Sequence, residues 1–530
     1  MRNLELPGRS PVRAQNGMAA TSNPLATATA LAVLRDGGNA MDAAVAACAV
    51  QCVVEPQSTG IGGDCFVLYA PRGGAGIVAF NGSGRAPAAA TAAWYREQGI
   101  TAIPQQSPHA VTIPGAIDAW AQLLADHGSR ELGALLQPAI AFARDGYPVH
   151  DRVATDWAAK RDLLAGDPAA ARIFLPGGAP LRAGAVHTQP ELAKTLERIA
   201  AHGRDGFYTG PVAEDMVAFL RGLGGLHTAE DFATARGEYV TPIKTAYAGH
   251  DVYECPPNGQ GIAALEMLNI LSGAYAGLDD PLSVERLHLA IEAARLAYRD
   301  RDDLIADPAQ AEVRVDDLLS AEHAARRRGA IRPDRAMADP PPSRFPVHAD
   351  TVYLAVVDRD RNTVSFINSI FDTFGSGLVS PKSGVLLQNR GQGFVTDPAH
   401  PNCIAPGKRP LHTIIPGMLV KDGHAAMPFG VMGGQYQAMG HAYVLSNHFE
   451  FGLDLQEAID LPRVFAMPGG PVAVESGVPA DRRAGLEARG HDLVPSTKPI
   501  GGAQAIAIDW RAGTLTGGSD PRKDGCALGY

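Results

Sequence analysis

The chain has 530 residues, 46% of them hydrophobic and 19% charged, a composition that supports a large buried core and excludes a disordered polar chain. A formal net charge of −10 without any Lys/Arg block excludes a polyanion-binding surface, so nucleic acid is not an expected partner. No uncharged apolar run approaches the roughly 18 residues that would span a bilayer, and the first eight residues lack an apolar export segment, so a cytoplasmic protein acting on small molecules is expected.

Residues 24–55 are alanine-rich and read as two helices in a hairpin, broken at Arg35-Asp36-Gly37-Gly38-Asn39, where glycines permit a sharp turn. Small side chains on both helices let backbones approach closely, which predicts packing against a sheet or another helix. Cys48 and Cys52 lie four apart here, a spacing that fits neither a redox pair nor a zinc site. With Cys65, Cys255, Cys403 and Cys526 they read as reduced structural thiols.

A glycine-rich loop follows at Gln57-Ser58-Thr59-Gly60-Ile61-Gly62-Gly63-Asp64, ahead of a strand over 65–69. It lacks the spacing and the following helix of a phosphate cradle, so a loop packed beneath an active site is the better reading. Strand 78–80 leads into loop 81–87, whose Arg85 is either a surface charge or a fork for a carboxylate. Helical segments are expected over 111–120, 131–146 and much of 151–236, and an amphipathic helix over 285–301. The alternating charges of 299–303 read as a solvated ion-pair face rather than a metal site.

The texture changes after the proline tract Pro340, Pro341, Pro342 and Pro346. Two β-branched runs, 352–357 and 364–370, flank the turn Asp358-Arg359-Asp360-Arg361-Asn362 and predict a hairpin with Thr351 at its mouth. Cleavage of the Asp350–Thr351 bond would give an N-terminal threonine. Its hydroxyl would be a nucleophile and its own α-amino group, with a pKa near ~8, the base.

Short strands are expected over 384–389 and 414–421, and a helix over 435–451 opened by Gly433-Gly434. Adjacent glycines at a helix start can present N–H groups to an oxyanion. His441 and His448 lack a third ligand at metal spacing, and no GxSxG or HExxH occurs, so neither a metal nor another cofactor is expected.

These pieces, in this order, resemble the γ-glutamyltransferase superfamily of N-terminal-nucleophile hydrolases. The likeness runs through Asn23-Pro24-Leu25-Ala26, Gly37-Gly38-Asn39-Ala40-Met41-Asp42, Gly60-Ile61-Gly62-Gly63, Pro114-Gly115, Asn258-Gly259-Gln260-Gly261 and Ala306-Asp307-Pro308. It continues in Thr351 with Val356-Val357-Asp358, then Phe374-Gly375-Ser376-Gly377, Lys408-Arg409-Pro410-Leu411, Gly433-Gly434 and Asp520-Pro521-Arg522. The resemblance implies a four-layer αββα sandwich of the α/β class. It also implies a proenzyme cut into a large subunit, 1–350, and a small one, 351–530, that stay together as a heterodimer.

Residue by residue, the resemblance makes Thr351 the nucleophile, Asp350–Thr351 the self-cleavage bond, Ser369 the partner of the nucleophile's amino group, and Gly433 and Gly434 the oxyanion hole. The substrate reader departs from the family. Ser83 aligns with the usual arginine, with Arg85 displaced by two; Gly393 replaces an aspartate, Arg390 a glutamine, His412-Thr413 a serine pair and Phe371 an asparagine. Segment 396–408 is too short for the family's lid. An acidic position exchanged for basic ones points to a carboxylate-bearing amide, as in oxamate amidohydrolases, held by Arg390 with Arg85, His412 or Thr413. An ordinary glutathione hydrolase is the alternative, and a non-catalytic scaffold that never matures is another.

Overall fold

The computed structural model describes residues 5, 8–338 and 351–530. Two seven-stranded sheets lie face to face. One runs, in spatial order, Val12–Ala14, Thr514–Ser519, Gly502–Asp509, His424–Met432, Gly417–Lys421, His250–Glu254 and Ile243–Tyr247. The other runs Cys526–Gly529, Met18–Thr21, Val352–Val357, Thr363–Ser369, Asp64–Ala70, Val78–Gly82 and Glu238–Val240. Each sheet thus draws strands from both sides of position 350.

The predicted hairpin is at the centre of the second sheet, paired antiparallel from Val352 with Asn368 to Val357 with Thr363. Its strands are buried on both faces, as in a layered sandwich. Tyr353, Ala355, Val357 and Ile367 meet Phe66, Met418, Met432 and Ile506 in the core between the sheets. Leu354, Val356, Val364 and Phe366 face a helical layer that includes the helix Ala40–Val54. A second helical layer, from Gly261–Leu271, Val284–Leu304 and Tyr436–Phe449, covers the first sheet. Helix, sheet, sheet and helix make the αββα sandwich.

The helical hairpin at 24–55 forms as expected, as Pro24–Arg35 and Ala40–Val54. Asn39 and Asp42 close the second helix's start with a capping box. All 15 of that helix's residues are buried, which is why alanine dominates it.

Four expectations change. The helix expected over 111–120 begins only at Ala116, because Pro114-Gly115 ends an extended segment; the N–H groups of Gly115 and Ala116 both donate to the Gly63 carbonyl. Residues 384–389 form two isolated bridges, Val379–Leu386 and Gly62–Leu387, instead of a strand, since their N–H groups serve loops such as Gly62 and Ile370. The strand expected over 414–421 shortens to Gly417–Lys421.

The charge run at 299–303 is not a solvated face: Asp300, Arg301 and Asp302 are buried at 2–5% exposure. Asp300 pairs with Arg327 and His323, and Arg301 reaches Gln260 and Gln435, partners that local charge alternation cannot reveal.

Candidate active site

The strand register carries Thr351 to a position opposite Ser369, one step beyond the Val352–Asn368 pair. Alternation of side chains along a strand puts both on the face that looks between the sheets, with Tyr353 and Ile367. The Thr351 hydroxyl donates to Ser369 Oγ at 3.1 Å and accepts from Gln437 Nε2 at 3.4 Å. Both Thr351 and Ser369 are buried. Asp350 lies outside the described residues.

The glycine-rich loop packs directly against this pair. A Cβ on Gly63 would stand 2.2 Å from the Ser369 carbonyl oxygen, and one on Gly62 2.2 Å from that of Leu386. The glycines therefore serve backbone approach. Asn368, one residue before Ser369, ties the strand to the loop through Thr59 Oγ1 at 2.8 Å.

Gly433 and Gly434 lie between strand His424–Met432 and helix Tyr436–Phe449 with φ of +122° and +59°, a backbone that glycine adopts readily. A side-chain brace from earlier in the chain holds them. Gln260 Nε2 donates to the carbonyls of Thr413 at 2.7 Å and Gly434 at 3.0 Å. The buried Arg301 guanidinium donates to Gln260 Oε1 at 2.7 Å and Gln435 Oε1 at 3.1 Å, and the Tyr298 hydroxyl donates to the Gln435 carbonyl at 2.6 Å.

Arg390 is fully buried beside the Thr351–Ser369 pair. It donates to Thr413 Oγ1 at 2.9 Å and Ser369 Oγ at 3.4 Å, and stacks at 4.2 Å over the ring of Phe371. Phe371 has φ +83°, an outlier for a bulky side chain, and its N–H donates to Ser369 Oγ at 2.9 Å. Among the described residues Arg390 makes no ion pair, and its Nε has no hydrogen-bond acceptor. Burial pushes its pKa down to about 9, partly opposed by the Asp64 carboxylate. A buried guanidinium so placed is a strong site for an anion.

His412 is buried within the electrostatic reach of that cation. Its Nε2–H donates to Asp64 Oδ2 at 3.0 Å and its Nδ1 accepts from the Ile414 N–H at 3.4 Å, which fixes the neutral tautomer. Burial, with Arg390 adding to it, pushes its pKa down to about 4. Asp64, which also accepts from Gln388 Nε2 at 2.9 Å and the Gly115 N–H at 3.1 Å, is a site residue that sequence reasoning missed. Its partners are up to 348 positions away.

Arg85 stands apart from this group. It donates to the Gly407 carbonyl at 3.1 Å, lies 3.7 Å from Asp307 and 3.8 Å from Glu238, and borders a cavity of about 170 Å³ with Ser83, Asp118 and Arg236. Thr351 does not line that cavity.

Both histidines of helix Tyr436–Phe449 serve local bonds: His441 donates to Glu254 at 2.7 Å and His448 to the Leu453 carbonyl at 2.8 Å. Two buried groups elsewhere bring ligand atoms together, Glu266–Asp300–His323 and His288–Glu292–His491. In each, an arginine already holds a carboxylate, Arg327 on Asp300 and Arg295 on Glu292. All six cysteines are free thiols, and among the described residues no helix is long and apolar enough to cross a membrane.

The four-layer sandwich is that of the N-terminal-nucleophile hydrolases. The chain belongs to the gamma-glutamyltranspeptidase family, whose model matches residues 26–530, and it is an enzyme of that family. It is 36% identical to the glutathione hydrolase-like YwrD proenzyme of Bacillus subtilis (97% of this chain, 98% of that protein). It is 35% identical to the oxamate amidohydrolase proenzyme of Klebsiella pneumoniae, again over 97% and 98%. Among solved structures it is similar to the cephalosporin acylase of Bacillus halodurans, with a TM-score of 0.93 and 41% identity over 100% of this chain and 99% of that one.

Proposed function

We propose that the chain is a self-cleaving N-terminal-threonine amidohydrolase that acts on small amides whose acyl half bears a carboxylate. Cleavage between Asp350 and Thr351 divides it into subunits 1–350 and 351–530, which both sheets then hold together. The freed α-amino group of Thr351 takes the proton from Oγ1 as that oxygen attacks the amide carbon. The N–H groups of Gly433 and Gly434 stabilise the oxyanion, and the amine departs with the proton. Water attacks the resulting ester, and Oγ1 regains its proton. Six free thiols accord with a reducing, cytoplasmic setting.

Arg390 carries the choice of substrate: a buried cation with no ion pair among the described residues, 3.4 Å from Ser369 and joined to the Thr413 hydroxyl. Thr413 completes that carboxylate seat, while His412 and Arg85 are committed to Asp64 and to Asp307 with Gly407. Proteins named oxamate amidohydrolase and cephalosporin acylase among the relatives support amide cleavage outside the γ-glutamyl class.

Turnover of oxamate, a glutaryl amide and a γ-glutamyl anilide, measured side by side, tests the assignment. The carboxylate-only acyl groups are expected to be preferred. Preference for the γ-glutamyl compound would restore the glutathione-hydrolase reading.

A further inference from the structure

We infer that Gln437 is a further catalytic residue, whose side-chain N–H stabilises the Thr351 oxygen as it leaves the acyl-enzyme. The inference rests on the nucleophile role given to Thr351 above and not on the choice of acyl group. Gln437 is the second residue of helix Tyr436–Phe449 and is fully buried. Its Oε1 accepts from the Ile415 N–H at 3.2 Å, and its Nε2 lies 3.4 Å from Thr351 Oγ1. A backbone N–H can only donate, so the amide oxygen faces Ile415 and the NH2 group faces the threonine. Thr351 Oγ1 gives its own proton to Ser369 Oγ, at 3.1 Å. Gln437 Nε2 makes no other hydrogen bond among the described residues, so this buried donor is committed to the nucleophile.

The helix start that carries Gln437 is tied down by Tyr298, whose hydroxyl donates to the Gln435 carbonyl at 2.6 Å and accepts from the Met439 N–H at 3.3 Å. A donor held this way does not reorganise as charge develops in front of it. In deacylation, water adds to the ester carbon and its proton passes to the α-amino group of Thr351. The bond from that carbon to Oγ1 then breaks, Oγ1 leaves with the electron pair, and it regains a proton from the ammonium. Gln437 keeps both of its protons throughout. An ester oxygen is a poor acceptor and a departing alkoxide a strong one, so the hydrogen bond strengthens only as the bond breaks, which lowers the barrier.

The test uses Gln437→Met and Gln437→Glu at pH 8.5 with an anilide of whichever acyl half the wild type hydrolyses. Met removes donor and acceptor together; an ionised Glu keeps the acceptor for the Ile415 N–H and removes the donor alone. Both are expected to lower kcat about tenfold or more. Both should also release a burst of aniline equal to the enzyme concentration and carry the acyl group on the small subunit by intact mass. Thermal melts of the same substitutions in a Thr351→Ala background report the fold. Self-cleavage also ends with departure of Oγ1, so a folded variant that stays uncut should be cut at 350–351 by mild neutral hydroxylamine, which attacks esters. Resistance to it, rates within about threefold of wild type, or a slow variant with neither burst nor acyl adduct overturns the inference while the nucleophile reading stands. A wild type active with its 350–351 peptide bond unbroken contradicts that reading first, and this inference with it.

Discussion

At the scale of single residues, the proposed selectivity for a carboxylate turns on Arg390. A hydrogen bond to a charged group contributes about 1.5–3 kcal/mol, or roughly ten- to 150-fold in binding. Arg390→Met keeps an apolar stem over Phe371 and removes the fork. It is expected to lower kcat/KM for carboxylate-bearing amides by about that factor, mostly through KM. A matched amide without the carboxylate should lose far less, and steady-state kinetics on the pair would expose an equal loss. Thr351 and Arg390 can be singled out from the sequence, the first by its strand-mouth position and the second by the departure from the family pattern. Asp64 and Gln260 cannot, because their place in the site depends on partners far along the chain, His412 for Asp64 and the Thr413 and Gly434 carbonyls for Gln260.

Among elements, the hairpin 352–369 was legible because its turn chemistry is local: Asp358 accepts from the N–H groups of Asp360 and Asn362, both at 2.9 Å. The segment 384–389 and the charge run 299–303 were not, since the first takes its hydrogen bonds from loops and the second its counter-charges from another helix. The glycine-rich loop lies between these cases. Its lack of a phosphate signature was readable, but its closeness to Ser369 needed the tertiary structure. Gly63→Ala forces a Cβ against rigid backbone and is expected to cost about 1–3 kcal/mol or more and to impair activity. Gly76→Ala, with nothing within 4 Å, should be silent. Chemical denaturation of the two variants makes the comparison, and equal midpoints would contradict the close-packing account.

At the scale of the whole molecule, burial depresses several histidines: His187, His227 and His412 to about 4, and His491 to about 3. The unfolded chain, with histidine near ~6.5, binds more protons than the folded one below that pH. Their contribution to stability is therefore complete above pH ~6.5 and is lost as pH falls toward ~4. His323, raised chiefly by its hydrogen bond to Glu266, works the other way. Thermal melts at pH 7, 5.5 and 4.5 should show a steep fall, with His412→Gln less steep than the wild type; a flat profile would show that these rings are not held neutral.

Both sheets interleave strands from before and after position 350, so a cut chain would remain one folded body. The overall architecture was reachable from the sequence only through the family motifs, because no local pattern specifies which strands of a chain this long become neighbours.

The most direct measurement is intact-mass and N-terminal analysis of purified active enzyme beside Thr351→Ala. The wild type should give two polypeptides, the smaller starting at Thr351, and the variant one uncut, inactive chain. Full activity from a wild type whose 350–351 peptide bond is unbroken would contradict the central claim.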